Sequence, residues 1–202
     1  MSKYPIIVFE GIEGSGKSFH IKCIEKYLKI KKIKYIKLRE PGGTPNSEKI
    51  RNLILNKSSN FNKLTDLLLY LGSRNENYHL LLKKNYKKKV IIIDRFIDST
   101  IAYQHYGMGI DKKLINLLNK LILHKIKPDF TFLHLVSMKN LRTRINKRKK
   151  NRYDYFQNRF YSRVQNGFKK IAKKKNNYLL IDSNKEISEN KKIILLKIKA
   201  LL

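Results

Sequence analysis

Gly11-Ile12-Glu13-Gly14-Ser15-Gly16-Lys17-Ser18 has the residue types and spacing of a loop that wraps a polyphosphate. Its glycines let the backbone approach phosphate oxygens closely, with N–H groups turned inward at the positive end of a following helix. In that arrangement the Lys17 ammonium reaches the β- and γ-phosphates of a nucleoside triphosphate, and the Ser18 hydroxyl holds Mg²⁺. The apolar run Ile6-Ile7-Val8-Phe9 before the loop and the periodic Ile21, Ile24 and Leu28 after it supply the required strand and helix. The chemistry implied is that of an NTPase or a nucleotide-dependent phosphotransferase.

Two further segments carry chemistry at the ends of apolar runs. Asp94-Arg95 follows Val90-Ile91-Ile92-Ile93. An acid at the end of a buried strand beside a phosphate loop can hold Mg²⁺ or its waters, and an arginine there offers a bidentate grip on a second phosphate; a strand-end salt bridge is the alternative. Arg39-Glu40-Pro41-Gly42-Gly43-Thr44 follows another apolar run. Pro-Gly-Gly is strong turn chemistry, and the flanking Arg-Glu pair adds charge to it. Tyr70 and Arg74 sit four apart in a helical pattern and share a face. Core packing beside Leu67 and Leu71 would explain Tyr70, while a planar aromatic with a guanidinium also suits a flat base bearing carbonyl acceptors.

The elements that must position these groups alternate. Branched apolar runs over residues 6–9, 35–38, 90–93, 130–136 and 178–181 read as five short buried strands. Helical patterns cover 18–30, 47–56, 64–86, 114–125, 138–148, 153–174 and a last stretch from 188. The expected fold is therefore α/β, a five-stranded parallel sheet with helices on both faces and ligands gathered at the carboxyl ends of the strands. No repeat, proline-rich linker or low-complexity tail divides the chain, so residues 1–202 are expected to form one domain.

The charge balance is extreme: 46 Lys+Arg against 15 Asp+Glu gives a formal net charge of +31. A nucleic-acid or anionic-membrane partner is one reading of it. The excess is mostly Lys spread among abundant Ile and Asn, residues with A/T-rich codons, so genomic base bias accounts for it without a partner. No specific nucleic-acid and no membrane partner is expected. Basic runs at 29–34, 83–89 and 169–175 read as solvated surface, and the run at 142–152 is richer in Arg. Cys23 is the only cysteine and is expected to face the core, excluding an intrachain disulfide. The five scattered histidines are expected at surface or helix positions. With no signal-peptide core and no apolar run of membrane-spanning length, a cytoplasmic location is expected.

In order along nearly the whole chain, the motifs resemble those of the thymidylate kinases. They are Phe9-Glu10 leading into Gly11–Ser18; Arg39–Thr44; Asp94-Arg95-Phe96 with Ser99-Thr100-Ile101-Ala102-Tyr103-Gln104; and Asn151-Arg152-Tyr153-Asp154 ahead of Val164 and Gly167-Phe168. The resemblance implies a P-loop kinase fold with a short lid, at about residues 142–155, that transfers the γ-phosphoryl group of ATP to dTMP with Mg²⁺. By position it gives Gly11, Ile12, Glu13, Gly14, Ser15, Gly16, Lys17 and Ser18 to ATP, and Ser18 with Asp94 to the metal. Glu13 lies near the acceptor, and Arg95 holds the dTMP phosphate. Tyr70 stacks on thymine, Arg74 and Arg51 approach the base, Thr100 and Gln104 touch its edge, and Tyr103 lies against the deoxyribose. Glu40 and Ser99 complete the substrate set, and Asp182-Ser183-Asn184 matches a loop near adenine, although it is also an ordinary helix start. Relatives are generally homodimers, and the helices expected over 64–86 and 114–125 have apolar positions to spare.

The resemblance also requires an arginine at the transferring group, from the phosphate loop or from the lid. Glu13, Gly14 and Ser15 are not basic, which leaves Arg144, Arg148 and Arg152, with Arg152 the best match. Three departures stand out: Phe96 replaces a commoner tyrosine, Leu135 stands where many relatives carry an acid, and the lid is unusually dense in Lys and Arg. Two other functions fit less of the sequence: a small P-loop kinase for a different nucleotide or nucleoside, and a basic nucleic-acid-associated ATPase argued from charge alone.

Overall fold

A computed structural model describes residues 4–147 and 149–202. In it β1 (Ile6–Glu10), β2 (Tyr35–Arg39), β3 (Val90–Asp94), β4 (Phe130–Leu135) and β5 (Tyr178–Asp182) form one sheet in the order β2-β3-β1-β4-β5. All neighbouring strands are parallel. The central strand β1 is buried along its whole length, whereas the edge strands β2 and β5 are partly exposed. This explains why the middle strands read as unbroken apolar runs.

The pleat divides the core. Ile7, Phe9, Val90 and Ile92 pack with Ile21, Ile24 and Leu28 of α1 (Lys17–Ile30) and Ile194 and Ile198 of α9 (Ile187–Leu201). Ile6, Val8, Ile91 and Ile93 point to the other face. That face is covered by Tyr78 and Leu82, which follow α3 (Lys63–Asn77), by the end of α6 (Lys112–Leu123) and, over β4, by α8 (Asn158–Ala172), with α2 (Pro45–Leu55) packed on α3. The chain leaves β1 towards one face and β3 towards the other, and the crevice between adjacent strands at such a point is where α/β sheets bind ligands.

Helix boundaries differ from expectation in three places. The helix expected over 64–86 is α only as far as Asn77; Tyr78–Leu82 widens to a π-helical turn before α4 (Lys83–Asn85). The pattern expected from 153 opens with a 3₁₀ turn at Arg152–Tyr155, where Asn151 and Asp154 form a capping box, and α8 begins only at Asn158. A helix the apolar periodicity does not announce runs from α5 (Ile97–Thr100) into a π-helix, Ile101–Gly107. Asp98, paired with Lys175, and Ser99, Thr100 and Gln104, which line a cavity, interrupt the apolar pattern there.

One histidine also departs from expectation. His134, on β4, is fully buried, and its ring lies 5.3 Å from that of His20 on α1 and 5.8 Å from Phe9. Neither His134 ring nitrogen nor Nδ1 of His20 has a hydrogen-bond partner. Burial lowers the His20 pKa to about 4, and burial together with Lys17 holds His134 well below the ordinary imidazole value. Both rings are neutral when folded but bind protons when unfolded, so stability present above about pH 6.5 is lost as pH falls below it. Each such proton costs about 1.4 kcal/mol per pH unit in that window. His134→Leu is therefore expected to move the acid-unfolding midpoint to lower pH, read by circular dichroism. An unshifted midpoint would put the acid sensitivity elsewhere. Cys23, expected to face the core, is half-buried.

Candidate active site

The phosphate loop connects β1 to α1. Gly11, at φ 134°, lies so close to β4 that a β-carbon would meet the His134 carbonyl oxygen at 2.3 Å. Gly16, at φ 84°, caps α1 with no side chain on the first-turn N–H groups, and no acid sits in that turn. These are the conditions for an anion site at a helix N-terminus. Lys17 folds back over the loop, its Nζ donating to the carbonyls of Gly11 (2.9 Å) and Ile12 (3.0 Å) and to Ser15 Oγ (3.3 Å). Burial and the nearby Arg95 lower its pKa to about 8, so an anion beside it favours the charged form.

A cavity of about 230 Å³ opens beside the loop. From β1 and the loop come Glu13, Gly14, Lys17 and Ser18; from β3 and the helix after it come Asp94, Arg95, Ser99, Thr100, Tyr103 and Gln104; from β2 and the α2–α3 pair come Glu40, Arg51, Tyr70 and Arg74. All the base-, sugar- and phosphate-side residues expected from the sequence, and both expected metal ligands, therefore meet in one cavity. Three buried polar atoms on its wall lack partners: Glu40 Oε1, Asp94 Oδ1 and Gln104 Nε2. Such atoms are costly unless something binds them.

Arg95 is a non-glycine residue at φ 67°, a strained conformation that turns its side chain into the cavity. Its Nη2 donates to Glu13 Oε1 at 2.9 Å, and the guanidinium lies 5.3 Å from the centre of the Tyr103 ring. The Tyr103 hydroxyl donates to the other Glu13 oxygen at 2.5 Å. Burial raises the Glu13 carboxyl, but Arg95, Tyr103 and Lys17 together hold its pKa below the ordinary value. Glu10, one residue before the loop, accepts from the backbone of Phe96 and Ser99 and from the Ser99 hydroxyl, pinning the start of α5. Burial and the facing Asp98 outweigh those donors and raise Glu10 to about 7.

Arg74 is buried, and its three nitrogens reach Glu40 (2.7 Å), Asn119 (2.5 Å) and Thr100 (3.0 Å). It shapes the base end of the cavity by fixing Glu40 and Thr100. Removing it strands a buried carboxylate, which typically costs about 3–5 kcal/mol. Arg74→Ala is expected to lower Tm by about 10 °C in a thermal melt. A shift below about 2 °C would show that Glu40 finds another partner. Arg51 reaches the same loop from α2, its Nη1 donating to the Pro41 carbonyl at 2.7 Å.

A second cavity, of about 210 Å³, lies on the other side of the loop against Gly14, Ser15, Gly16, Arg144 and Ser183. Arg144 bridges the Gly14 carbonyl (2.9 Å) and the Ser183 carbonyl (2.8 Å). The loop after β5 is thereby tied to the phosphate loop.

The family model described as thymidylate kinase matches residues 9–194. The chain belongs to the thymidylate kinase family. A thymidylate kinase of Ehrlichia ruminantium is 40% identical over 202 residues, covering 96% of this chain and 98% of that one. One from a Sulfurihydrogenibium species is 38% identical, covering 96% of both. The crystal structure of thymidylate kinase from Ehrlichia chaffeensis matches with a TM-score of 0.76 at 37% identity, covering 98% of each chain.

Of the residues expected to be catalytic in the thymidylate kinase pattern, Arg152 is the one that does not line the cavity. Its guanidinium pairs with Asp66 on α3 and lies over the rings of Phe61 and Tyr153. Its neighbours Asn151 and Tyr153 line the cavity. Of the other lid candidates, Arg144 is engaged as described and Arg148 lies outside the described residues. Asp66 accepts from the Tyr153 hydroxyl at 2.7 Å. Tyr153 belongs to the motif Asn151-Arg152-Tyr153-Asp154, but Asp66 carries no local signal in the sequence because it meets residues 152 and 153 only in three dimensions.

Proposed function

We propose that this protein transfers the γ-phosphoryl group of ATP to dTMP, giving dTDP and ADP, as a single 202-residue domain with a lid over residues 142–155. The observation that carries this reading is one cavity lined by phosphate-loop residues and, across from them, by an arginine, an aromatic ring and the unpartnered Gln104 amide. In this reading a dTMP phosphate oxygen held by Arg95 attacks a γ-phosphate held by the loop N–H groups and Lys17. The new P–O bond forms as the bond to ADP breaks. Such transfer needs positioning and charge neutralisation more than covalent help from the protein.

Glu13 keeps Arg95 and Tyr103 in place for the acceptor. Tyr70 supports the base, while Thr100 and the free Gln104 amide present polar atoms to its edge. The unpartnered Asp94 Oδ1 and the Ser18 hydroxyl on the same cavity suit Mg²⁺, which takes few protein ligands and several phosphate or water oxygens. Bound there, Mg²⁺ would neutralise charge developing between the β- and γ-phosphates. Adenine fits the second cavity, between Arg144 and the Ser183 loop. Leu64 and Leu68 on α3 and Leu117 and Leu121 on α6 stand exposed on packed neighbours, an apolar stripe that supports pairing of two copies. Among the described residues no helix is long and apolar enough to cross a membrane, and a cytoplasmic site of action is part of this reading.

The test is ADP formation with Mg²⁺-ATP across dTMP, dUMP, dCMP, dGMP and UMP. A site that hydrogen-bonds the thymine edge should favour dTMP over dCMP by about 10⁴, but over dUMP by only about 10–200-fold, since one methyl separates them. Equal turnover of dTMP and dCMP would point to a different nucleotide kinase. Hydrolysis that responds to duplex DNA and to no monophosphate would overturn the reading.

A further inference from the structure

In a parallel sheet, every connection from a helix into the next strand arrives at the same edge, opposite the ligand-binding ends. Here those connections are residues 29–34 into β2, 83–89 into β3, 124–129 into β4 and 173–177 into β5. Fourteen of these 24 residues are lysine, and none is arginine. Across the whole chain Lys+Arg together make 46 of 202. A codon bias acts without regard to position in the fold, so it explains the overall excess but not this concentration. Helix C-termini favour cations, which accounts for Lys29 in the last turn of α1 and for Lys83 and Lys84 in that of α4. The lysines beyond the helix ends are left without that reason.

The edge is a continuous surface. Lys34 O accepts from Val90 N, Ile6 O from Asp129 N, and Asn177 O from Thr131 N, so adjacent connections are stitched together from β2 to β5. Five strands at about 4.8 Å spacing make this row about 19 Å wide. Thirteen of the fourteen lysines are exposed. Among the described residues, the only one of them in an ion pair is Lys175, with Asp98. The one acid in the four connections, Asp129, is turned inward, its carboxylate accepting from Ile6 N at 2.7 Å.

We propose that this lysine edge, on the opposite side of the sheet from the phosphate loop, binds the phosphate backbone of nucleic acid without reading its sequence. Lysine supplies point charges to phosphate and lacks the planar fork with which arginine reads guanine. Backbone contacts of this kind set position and affinity but carry no sequence information. A membrane surface fits less well, because stable docking adds inserted apolar side chains to the charge. Ile30 is the one large apolar residue well exposed in these connections. Nucleic acid held here leaves the phosphate loop facing solvent, so binding and turnover are separate.

The test measures binding of a labelled 30-base-pair duplex of arbitrary sequence by fluorescence anisotropy against salt, and turnover with the duplex at saturation. About six phosphate contacts give a log–log salt slope near −5 and a loss of about 10³ in affinity between 50 and 200 mM salt. Lys31, Lys87, Lys88 and Lys173, all exchanged for Glu, should weaken binding at least 30-fold and bring the slope to about −2. The same four charge reversals at Lys49, Lys63, Lys113 and Lys192, exposed residues outside these connections, should change affinity less than threefold. Equal losses in the two variants would make net charge the cause and overturn the proposal. So would binding to phosphatidylserine vesicles without binding to duplex, no duplex binding at 50 mM salt, or inhibition of turnover by saturating duplex.

Discussion

Arg95→Ala is expected to lower kcat/KM for dTMP by about 10³, equivalent to about 4 kcal/mol of transition-state stabilisation. Two effects add. The guanidinium facing the acceptor phosphate is gone, and Glu13, which Arg95 now pairs at 2.9 Å, loses that ion pair beside an incoming dianion. Burial is the largest influence on Glu13 and pushes its pKa up; Arg95 is the first of the groups that reverse it. Without Arg95 the carboxyl should titrate at higher pH, and the acidic limb of the kcat/KM profile should move upward with it. Arg95→Lys keeps a charge but loses the fork, and should fall between the two. A variant with KM for dTMP within about threefold of the parent would show that the acceptor phosphate is held elsewhere. The left-handed backbone at residue 95 makes the position informative, because alanine inherits the same strain and the comparison isolates the side chain.

Much of this fold can be read in the sequence because its physics is local. Five branched apolar runs gave five strands, and Gly11 and Gly16 stand where the backbone needs positive φ. The parallel order follows from alternation of strand and helix, and adjacency of β1 and β3 brings Asp94 beside the phosphate loop. What escaped the sequence is non-local or irregular. The helix over 97–107 carries polar site residues on the face that periodicity would need to be apolar, and it widens to a π-helix. His134 looked like an ordinary polar residue, yet its strand position buries it against His20 and Phe9. Arg74 looked like a base ligand, and its main bonds turn out to go to Glu40, Asn119 and Thr100. In each case the deciding partner lies on a different element, tens of residues away.

The lid shows the same limit and carries the second large effect. Arg152→Ala is expected to lower kcat by about 10³ while leaving KM for dTMP within about threefold, the signature of a cation that acts on the transferring group alone. In this structure Arg152 is held by Asp66, and that carboxylate also takes the Tyr153 hydroxyl. With Asn151 and Tyr153 already on the cavity wall, rotation of the intervening residue would exchange a carboxylate for the phosphates. A triphosphate carries more negative charge than Asp66, so the exchange is favoured once nucleotide is bound and disfavoured before it. Single-turnover measurements with dTMP and Mg²⁺-ATP separate the chemical step from product release. Loss confined to that step supports the role, whereas an unchanged step would move it to Arg148. A matching rise in KM for dTMP would instead mean that Arg152 acts by holding Asp66 and the base wall together.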